Sequence, residues 1–483
     1  MLRFTLILFS LLLFAVPATS KSIASSVVTT SKDNNAKLHT GSTLVGVITT
    51  VAGFKTRSAG GTLDGISATS ARLEDPRGLA IDKEGNIYLA DYASDRVRKV
   101  AAITGIITTA AGTGDPGFSG DGGQATSAMI NSPSGIGLDT AGNFFFTDTD
   151  NHRIRKVTVS TGIITTVAGN DKGDYTGDNV AATSTSLKFP LDVAIDTNGN
   201  IFIVDTGNGR IRKVTASTGI MTTIAGSGIP SDKIIGPTTA ATDFPIYSPY
   251  GVALDTPGNI YITGGPTDPC VFKITASTGY ISIVAGTGPS LGGEKGYNGD
   301  GILATTAKLD NPSKVAFDSL GNIYISDKDN ERIRKVTVST GIITTVAGTG
   351  SIGREPYDGE NANALSASIH SPTGVAVDAA GNFYFSTYLG VVRKVTYTAA
   401  TPSNALTSAP TAPRAPSTSV APTPSATTSS SSSSSPKAPT APATTSSVAS
   451  QSSATTRTHT TKTVHSTLVL LTSMLLLHLC RGA

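Results

Sequence analysis

The feature that most confines this chain is a seven-residue motif that returns six times. It reads Pro76-Arg-Gly-Leu-Ala-Ile-Asp82, Pro133-Ser-Gly-Ile-Gly-Leu-Asp139, Pro190-Leu-Asp-Val-Ala-Ile-Asp196, Pro249-Tyr-Gly-Val-Ala-Leu-Asp255, Pro312-Ser-Lys-Val-Ala-Phe-Asp318 and Pro372-Thr-Gly-Val-Ala-Val-Asp378. Successive prolines lie 57, 57, 59, 63 and 60 residues apart. A period of that length, filled with short β-branched runs and no helical pattern, points to propeller blades and away from a helical solenoid. Each unit supplies four strands. The motif is the first, and a turn of the form Asp-x-x-Gly-Asn follows it in every unit, with Asp to start the turn and Gly where φ must be positive. A second strand comes at once (Ile87 to Asp91 in the first unit), a tight loop leads to a third (Arg96 to Val100), and Thr104-Gly105 turns into an outermost strand, Ile106 to Gly112.

Counting that outermost strand settles how the ring closes. It occurs at Val47 to Gly53, Ile106 to Gly112, Ile163 to Gly169, Ile220 to Gly226, Ile281 to Gly286 and Ile342 to Gly348. One copy precedes the first inner unit and none follows the last. The sixth unit, Pro372 to Val395, is therefore expected to complete its sheet with the N-terminal strand, uniting the two ends of the repeat region in one blade. With only Cys270 and Cys480 in the whole chain, no disulfide framework contributes to closure.

The repeats resemble the NHL family, whose pattern is Pro-x-Gly-Val-Ala-Val-Asp, Gly-Asn-Ile-Tyr-Val-Ala-Asp and Asn-x-Arg-Ile-x-Lys-Val. The resemblance covers residues 42–396 and implies an all-β fold, a six-bladed β-propeller of four-stranded antiparallel blades. Relatives of this fold include scaffolds for protein or RNA partners, extracellular modules, lyases and lactonases, so fold alone leaves activity open.

The flanks read as addresses. Residues 1–20 carry Arg3, the apolar run Phe4 to Val16 and the small residues Ala18 and Ser20, the layout of a secretory signal peptide. A linker of residues 21–41 follows. Residues 397–453 are rich in Ser, Thr, Pro and Ala, a composition too poor in apolar surface to fold and expected as an extended, O-glycosylated stalk. Residues 454–483 end in the apolar stretch Leu468 to Cys480, too short to span a bilayer. Small residues, a polar spacer and a terminal apolar tail match the signal for a glycosylphosphatidylinositol anchor, with Ser452 and Ser453 as attachment candidates. The expected location is the outer face of the plasma membrane or the cell wall, with a lipid anchor in the membrane.

Charge narrows the partners. Residues 1–41 hold 4 basic and 1 acidic side chain, residues 42–396 hold 28 and 33, and residues 397–483 hold 5 and 0. A propeller with a net charge of −5 (28 minus 33) gains little from phosphate neutralisation, so no nucleic-acid partner is expected.

Four acids each stand five residues before an arginine: Asp91 and Arg96, Asp148 and Arg153, Asp205 and Arg210, Asp327 and Arg332. They read as structural ion pairs across a tight loop. In the fourth and sixth units both partners are replaced together, by Gly264 with Cys270 and by Thr387 with Val391, as expected when losing one alone would strand a buried charge. The Gly-Asp-Gly segments Gly120 to Gly122 and Gly299 to Gly301 read as the start of capped helical turns bridging two blades.

Chemistry-bearing sets are sparse. Gly112-Thr-Gly-Asp-Pro-Gly117 and Gly348-Thr-Gly-Ser-Ile-Gly353 follow an outer strand and open no helix, against dinucleotide binding. The propeller holds two histidines, His152 and His370, too few for the multi-histidine zinc site of the lyases that share the fold. Cys270 has no local base and reads as a small apolar filler. The calcium site of lactonase-like relatives could be supplied by Asp75, Asn131, Asp310 and Asn311, all just before inner strands. Function is expected where the copies differ. The two positions after each proline place Arg77, Asp192, Tyr250 and Lys314 at one mouth of the channel, with His370 nearby, a surface suited to a specific partner. The sequence thus favours a cell-surface binding or adhesion module for a protein or glycan, without a cofactor. The alternative is a calcium-dependent hydrolase of the lactonase or gluconolactonase kind.

Overall fold

The computed structural model describes residues 44–54, 63–229, 235–236, 238–288, 294–351 and 359–399. The expected leader, linker, anchor signal and attachment serines lie outside the described residues, as does the expected stalk except for residues 397–399, which belong instead to the last strand of the ring, Val391–Ala399. Six antiparallel sheets form the blades of a propeller, the innermost strand starting at the motif proline in five of them and at Gly251, just after Pro249, in blade 4. Three sheets gain a fifth, two-residue strand at the outer edge (Ile66–Ser67, Val180–Ala181 and Ile302–Leu303).

The repeated residues explain the repeated geometry. In blade 1, Asp82 Oδ1 accepts the Asn86 N–H at 2.7 Å and Oδ2 accepts from Asn86 Nδ2 at 2.8 Å, while Gly85 takes φ 84°. Asn86 Oδ1 then accepts the Ala102 N–H at 3.0 Å, tying this turn to the next. The apolar side chains fill the spaces between sheets. One core joins Tyr88 and Val97 of blade 1 to Ile136, Phe144 and Phe146 of blade 2, and the other cores repeat that pattern around the ring.

Closure is as the strand count requires. Leu44–Ala52 pairs antiparallel with Val391–Ala399, from Leu44 opposite Ala399 through Thr50 opposite Arg393. Ile48 and Ala52 of this closing strand are fully buried, Ile48 in the core between blades 5 and 6 and Ala52 in the core between blades 6 and 1. Thr50 adds two bonds to Glu360, from its N–H at 2.9 Å and its hydroxyl at 2.7 Å.

The Ala-rich segments are single 3-10 turns, such as Ala125–Ser127 and Ala304–Thr306, with no side-chain cap at their N-termini. The capping expectation therefore fails. The aspartates of the Gly-Asp-Gly segments instead hold arginines. Asp121 Oδ1 lies 2.8 Å from Arg155 Nη2, and Asp300 Oδ1 lies 2.9 Å from Arg334 Nη2.

That observation also corrects the ion pairs. Asp91 and Arg96, Asp148 and Arg153, Asp205 and Arg210, and Asp327 and Arg332 do stand opposite one another at strand ends. The buried acid nevertheless faces the arginine two residues further on. Asp148 meets Arg155 at 3.1 Å, Asp205 meets Arg212 at 3.4 Å and Asp327 meets Arg334 at 3.5 Å, each with both side chains fully buried. Arg98 of blade 1 pairs with Asp64 at 2.9 Å. The outer arginines turn toward the mouth face instead. Arg153, Arg210 and Arg332 each lie 3.8 Å above an aromatic ring, of Phe118, Tyr175 and Tyr297 respectively. Each also donates to loop carbonyls, as Arg210 does to Asn208 and Ser227.

Joint loss does not hold either. Blade 6 keeps Arg393 although Thr387 replaces the acid, and Glu360 reaches it at 3.3 Å. In blade 4, Phe272 fills the arginine position and packs on Phe244, with ring centroids 5.7 Å apart. Blade 4 still retains an acid: Asp268 accepts the Tyr247 N–H at 3.0 Å, the role Asp91 fills for Glu74 at 2.6 Å.

Candidate functional site

The face of the ring that carries the motif prolines is where the blades cease to be copies. Five residues that immediately precede a proline hold left-handed backbone: Asp75, Ser132, Phe189, Asn311 and Ser371, with φ between 40° and 60°. Such conformations are disfavoured for non-glycine residues and persist only where surrounding contacts enforce them. Three of the five are enforced by a clasp from the preceding blade. Asp95 Oδ1 accepts the Ser132 N–H at 2.8 Å, His152 Nδ1 accepts the Phe189 N–H at 3.2 Å, and Glu331 accepts the Ser371 N–H. His152, expected to be unfit for zinc, is thus a structural acceptor, and burial holds its pKa below the ordinary value.

The seam between blades 3 and 4 has no such clasp. Gly209 occupies the clasp position, and Ser248, before Pro249, is not left-handed. A cleft of about 340 Å³ lies there, lined by Tyr175, Asn208, Gly209, Arg210, Ile229 and Tyr247 among others. Ile229 and Tyr247 are exposed. Neither residue is singled out by the repeat pattern. A signal is present nonetheless, since Thr206-Gly-Asn-Gly209 replaces the Asp95, His152 and Glu331 loops with glycine.

The residues expected at the channel mouth divide into separate arrangements. Arg77 donates from Nε to Asp75 Oδ2 at 2.9 Å, pairs with the same oxygen through Nη2 at 2.8 Å, and stacks 3.2 Å above the Tyr92 ring. Tyr250 is half-buried, and burial raises its phenol while the Arg77 charge lowers it, so the two share one electrostatic neighbourhood. Asp192 and Lys314 form an ion pair with each other. His370 stands apart, stacked on Tyr388 at 6.3 Å.

The four residues named for calcium do not form a donor set that fits the ion. Asp75 already has Arg77 as its counterion, and that cation opposes a second one beside it. Asn131 Oδ1 accepts from Ser132 Oγ at 3.3 Å, and Asn311 donates to Asp329 at 3.1 Å. Asp310 serves through its backbone, donating its N–H to Asp327 at 2.8 Å. Asp75 Oδ1 and Asn311 Oδ1 are buried without a hydrogen bond, yet among the described residues no three His, Cys, Asp or Glu side chains come together to hold a metal. Cys270 is fully buried, and burial pushes its thiol well above the ordinary range, against a nucleophile.

Six sheets around one axis, with blade-specific residues gathered on one face, define an all-β six-bladed propeller. Part of the ring matches known repeat models. Residues 52–116 and 111–174 match the teneurin NHL domain, and residues 187–214 match the NHL repeat. The chain is thus a six-bladed propeller whose first three blades carry matches to NHL models. It is 27 % identical over 319 residues to SUPPRESSOR OF QUENCHING 1, chloroplastic, of Arabidopsis thaliana, covering 65 % of this chain and 29 % of that protein. It is 30 % identical over 297 residues to Teneurin-3 of Mus musculus, covering 54 % of this chain and 10 % of that one. The chain therefore spans less than a third of the length of either relative. A protein of unknown function from Bacteroides thetaiotaomicron shares the fold at a TM-score of 0.54 and 19 % identity, covering 74 % of this chain and 77 % of its own. An auxiliary nutrient binding protein from Bacteroides ovatus does so at 0.52 and 17 %, with 74 % and 78 % covered.

Proposed function

We propose that this protein is a binding module whose rigid ring presents one face, centred on the cleft between blades 3 and 4, to a protein partner at the cell surface. The observation that carries this reading is the cleft itself. Three seams are closed by Asp95, His152 and Glu331; of the seams without that bond, the one with Gly209 holds a cleft flanked by the exposed side chains of Ile229 and Tyr247. An exposed aromatic and an aliphatic residue beside a polar, arginine-bearing wall are what an anchoring side chain of a partner would use. The teneurin relatives support a binding role and supply no partner for this chain.

Display outside the cell rests on the apolar leader, the Ser/Thr/Pro-rich stalk and the apolar C-terminal tail. No helix among the described residues is long and apolar enough to cross a membrane. Release of the full chain from intact cells by a phosphatidylinositol-specific phospholipase is the expected result; retention after treatment would count against the lipid anchor. Binding is tested with the tagged full chain on intact cells. Tyr247→Ala and Ile229→Asp should each weaken attachment at least tenfold, while Leu320→Asp, in an exposed turn on the opposite face, should leave it unchanged. Equal loss in all three, or loss only in the last, would overturn the choice of face.

A further inference from the structure

The axial channel contains a second arrangement that the repeats isolate. The third residue of each motif forms a ring of six around the axis: Gly78, Gly135, Asp192, Gly251, Lys314 and Gly374. Glycine is required where neighbouring inner strands meet. A Cβ on Gly78 would lie 2.5 Å from the Ser134 carbonyl oxygen, and one on Gly251 would lie 2.6 Å from that of Ser313. Two blades break this rule, and they break it with opposite charges that find each other across blade 4. Asp192 Oδ2 accepts the Val252 N–H at 2.8 Å, and its other oxygen pairs with Lys314 Nζ. In blade 3 the one-residue register shift falls between Pro190 and Asp192, and in blades 1, 2, 5 and 6 the same shift falls between the proline and the fourth motif residue.

This pair lines a cavity of about 230 Å³ whose other side chains are apolar, including Leu79, Ile136, Val193 and Val252, with peptide groups of the inner strands exposed between them. Leu138, Ile195 and Leu254, at the far ends of their strands, also line it and are only half-buried. An ammonium has three donors. Lys314 Nζ is buried and makes no well-formed hydrogen bond, leaving only its ion pair with Asp192 among the described residues. A buried cation with donors to spare is an incomplete arrangement. An acceptor oxygen supplied from the cavity would complete it. The pair is already charge-balanced, so an anionic head would bring uncompensated charge into the channel. At roughly 30 Å³ per non-hydrogen atom, the volume a water takes in the liquid, the cavity holds about eight such atoms.

We propose that the channel binds a small neutral amphiphile, with a carbonyl or hydroxyl oxygen accepting from Lys314 and an aliphatic body against the valine, leucine and isoleucine wall. The site is separate from the cleft between blades 3 and 4, so either can fail without the other.

The probe is 2-heptanone, with heptanoate as its anionic counterpart, titrated into the full chain by calorimetry and by saturation-transfer NMR. Saturable one-to-one binding of the ketone is expected, with heptanoate at least tenfold weaker. Lys314→Met should weaken the ketone at least tenfold. Leu254→Phe, which fills the channel and leaves the ion pair intact, should abolish binding while the far-ultraviolet circular dichroism stays unchanged, which keeps the test decisive where Lys314→Met perturbs folding. No saturable binding of the ketone, binding indifferent to Leu254→Phe, or heptanoate binding as tightly as the ketone would each overturn the proposal.

Discussion

Ile48 lies on the closing strand and is fully buried between blades 5 and 6, more than 300 residues from the strand it pairs with. Replacing it with alanine removes three carbons, a transfer term of about 2.4 kcal/mol at ~0.8 kcal/mol each. The cavity left behind adds to this, so Ile48→Ala should cost about 3 kcal/mol, within the range of about 2–5 kcal/mol for such truncations. Ile164 is the control. It holds the same place on the outer strand of blade 2, is equally buried, and belongs to a strand joined to its neighbour by a short turn. Urea unfolding followed by circular dichroism should give losses for the two variants that agree within about 1 kcal/mol. Were the closing strand only loosely docked, Ile48→Ala would cost under about 0.5 kcal/mol while Ile164→Ala kept its full effect, and the account of closure would be refuted.

Three further outcomes test the electrostatics. Arg155→Met should cost about 3–5 kcal/mol because it strands the fully buried Asp148, whereas Arg153→Met loses a partly exposed ring contact and should cost about 1 kcal/mol; equal losses in thermal unfolding would return the ion pair to Arg153. Burial raises Asp268 to about 6, above its unfolded value, so the stability it contributes is fully present below about pH 4 and is lost as pH rises through 6. Asp268→Asn should therefore stabilise the protein at pH 8, by up to about 3 kcal/mol, and flatten the stability profile between pH 4 and 7; an unchanged profile would contradict this. Asp192→Gly and Lys314→Gly should each destabilise by several kcal/mol, while the double variant recovers more than half of the summed loss; simple additivity in denaturant melts would mean that the two charges do not act as a pair.

Much of the fold is legible in the sequence because each blade repeats its own instructions. Asp82 with Asn86 sets one turn and its five copies set the rest, so six motifs yield six sheets. Closure follows from counting one surplus strand at Val47 and one missing after Val395. The charges are harder, because proximity in sequence misleads. Asp91 and Arg96 flank a short loop and do stand opposite one another, but the guanidinium that enters the core belongs to Arg98. Its carboxylate partner, Asp64, is 34 residues upstream. The same separation links Asp121 to Arg155, Asp178 to Arg212 and Asp300 to Arg334. This recurrence is readable as a fixed offset between acids and arginines. At the mouth, Asp192 and Lys314 stand out as charges in glycine positions, yet nothing in their spacing says that they face each other across a blade. The cleft at Gly209 is hidden for the opposite reason: it arises from side chains that are missing.

The way the ring is fastened has a mechanical corollary. Leu44 and Ala399 face each other at the same end of their antiparallel pair, so opposing forces on the two flanking segments would open the seam like a zipper, one rung after another, instead of shearing all its rungs together. A tether attached on one side alone would leave the seam unloaded.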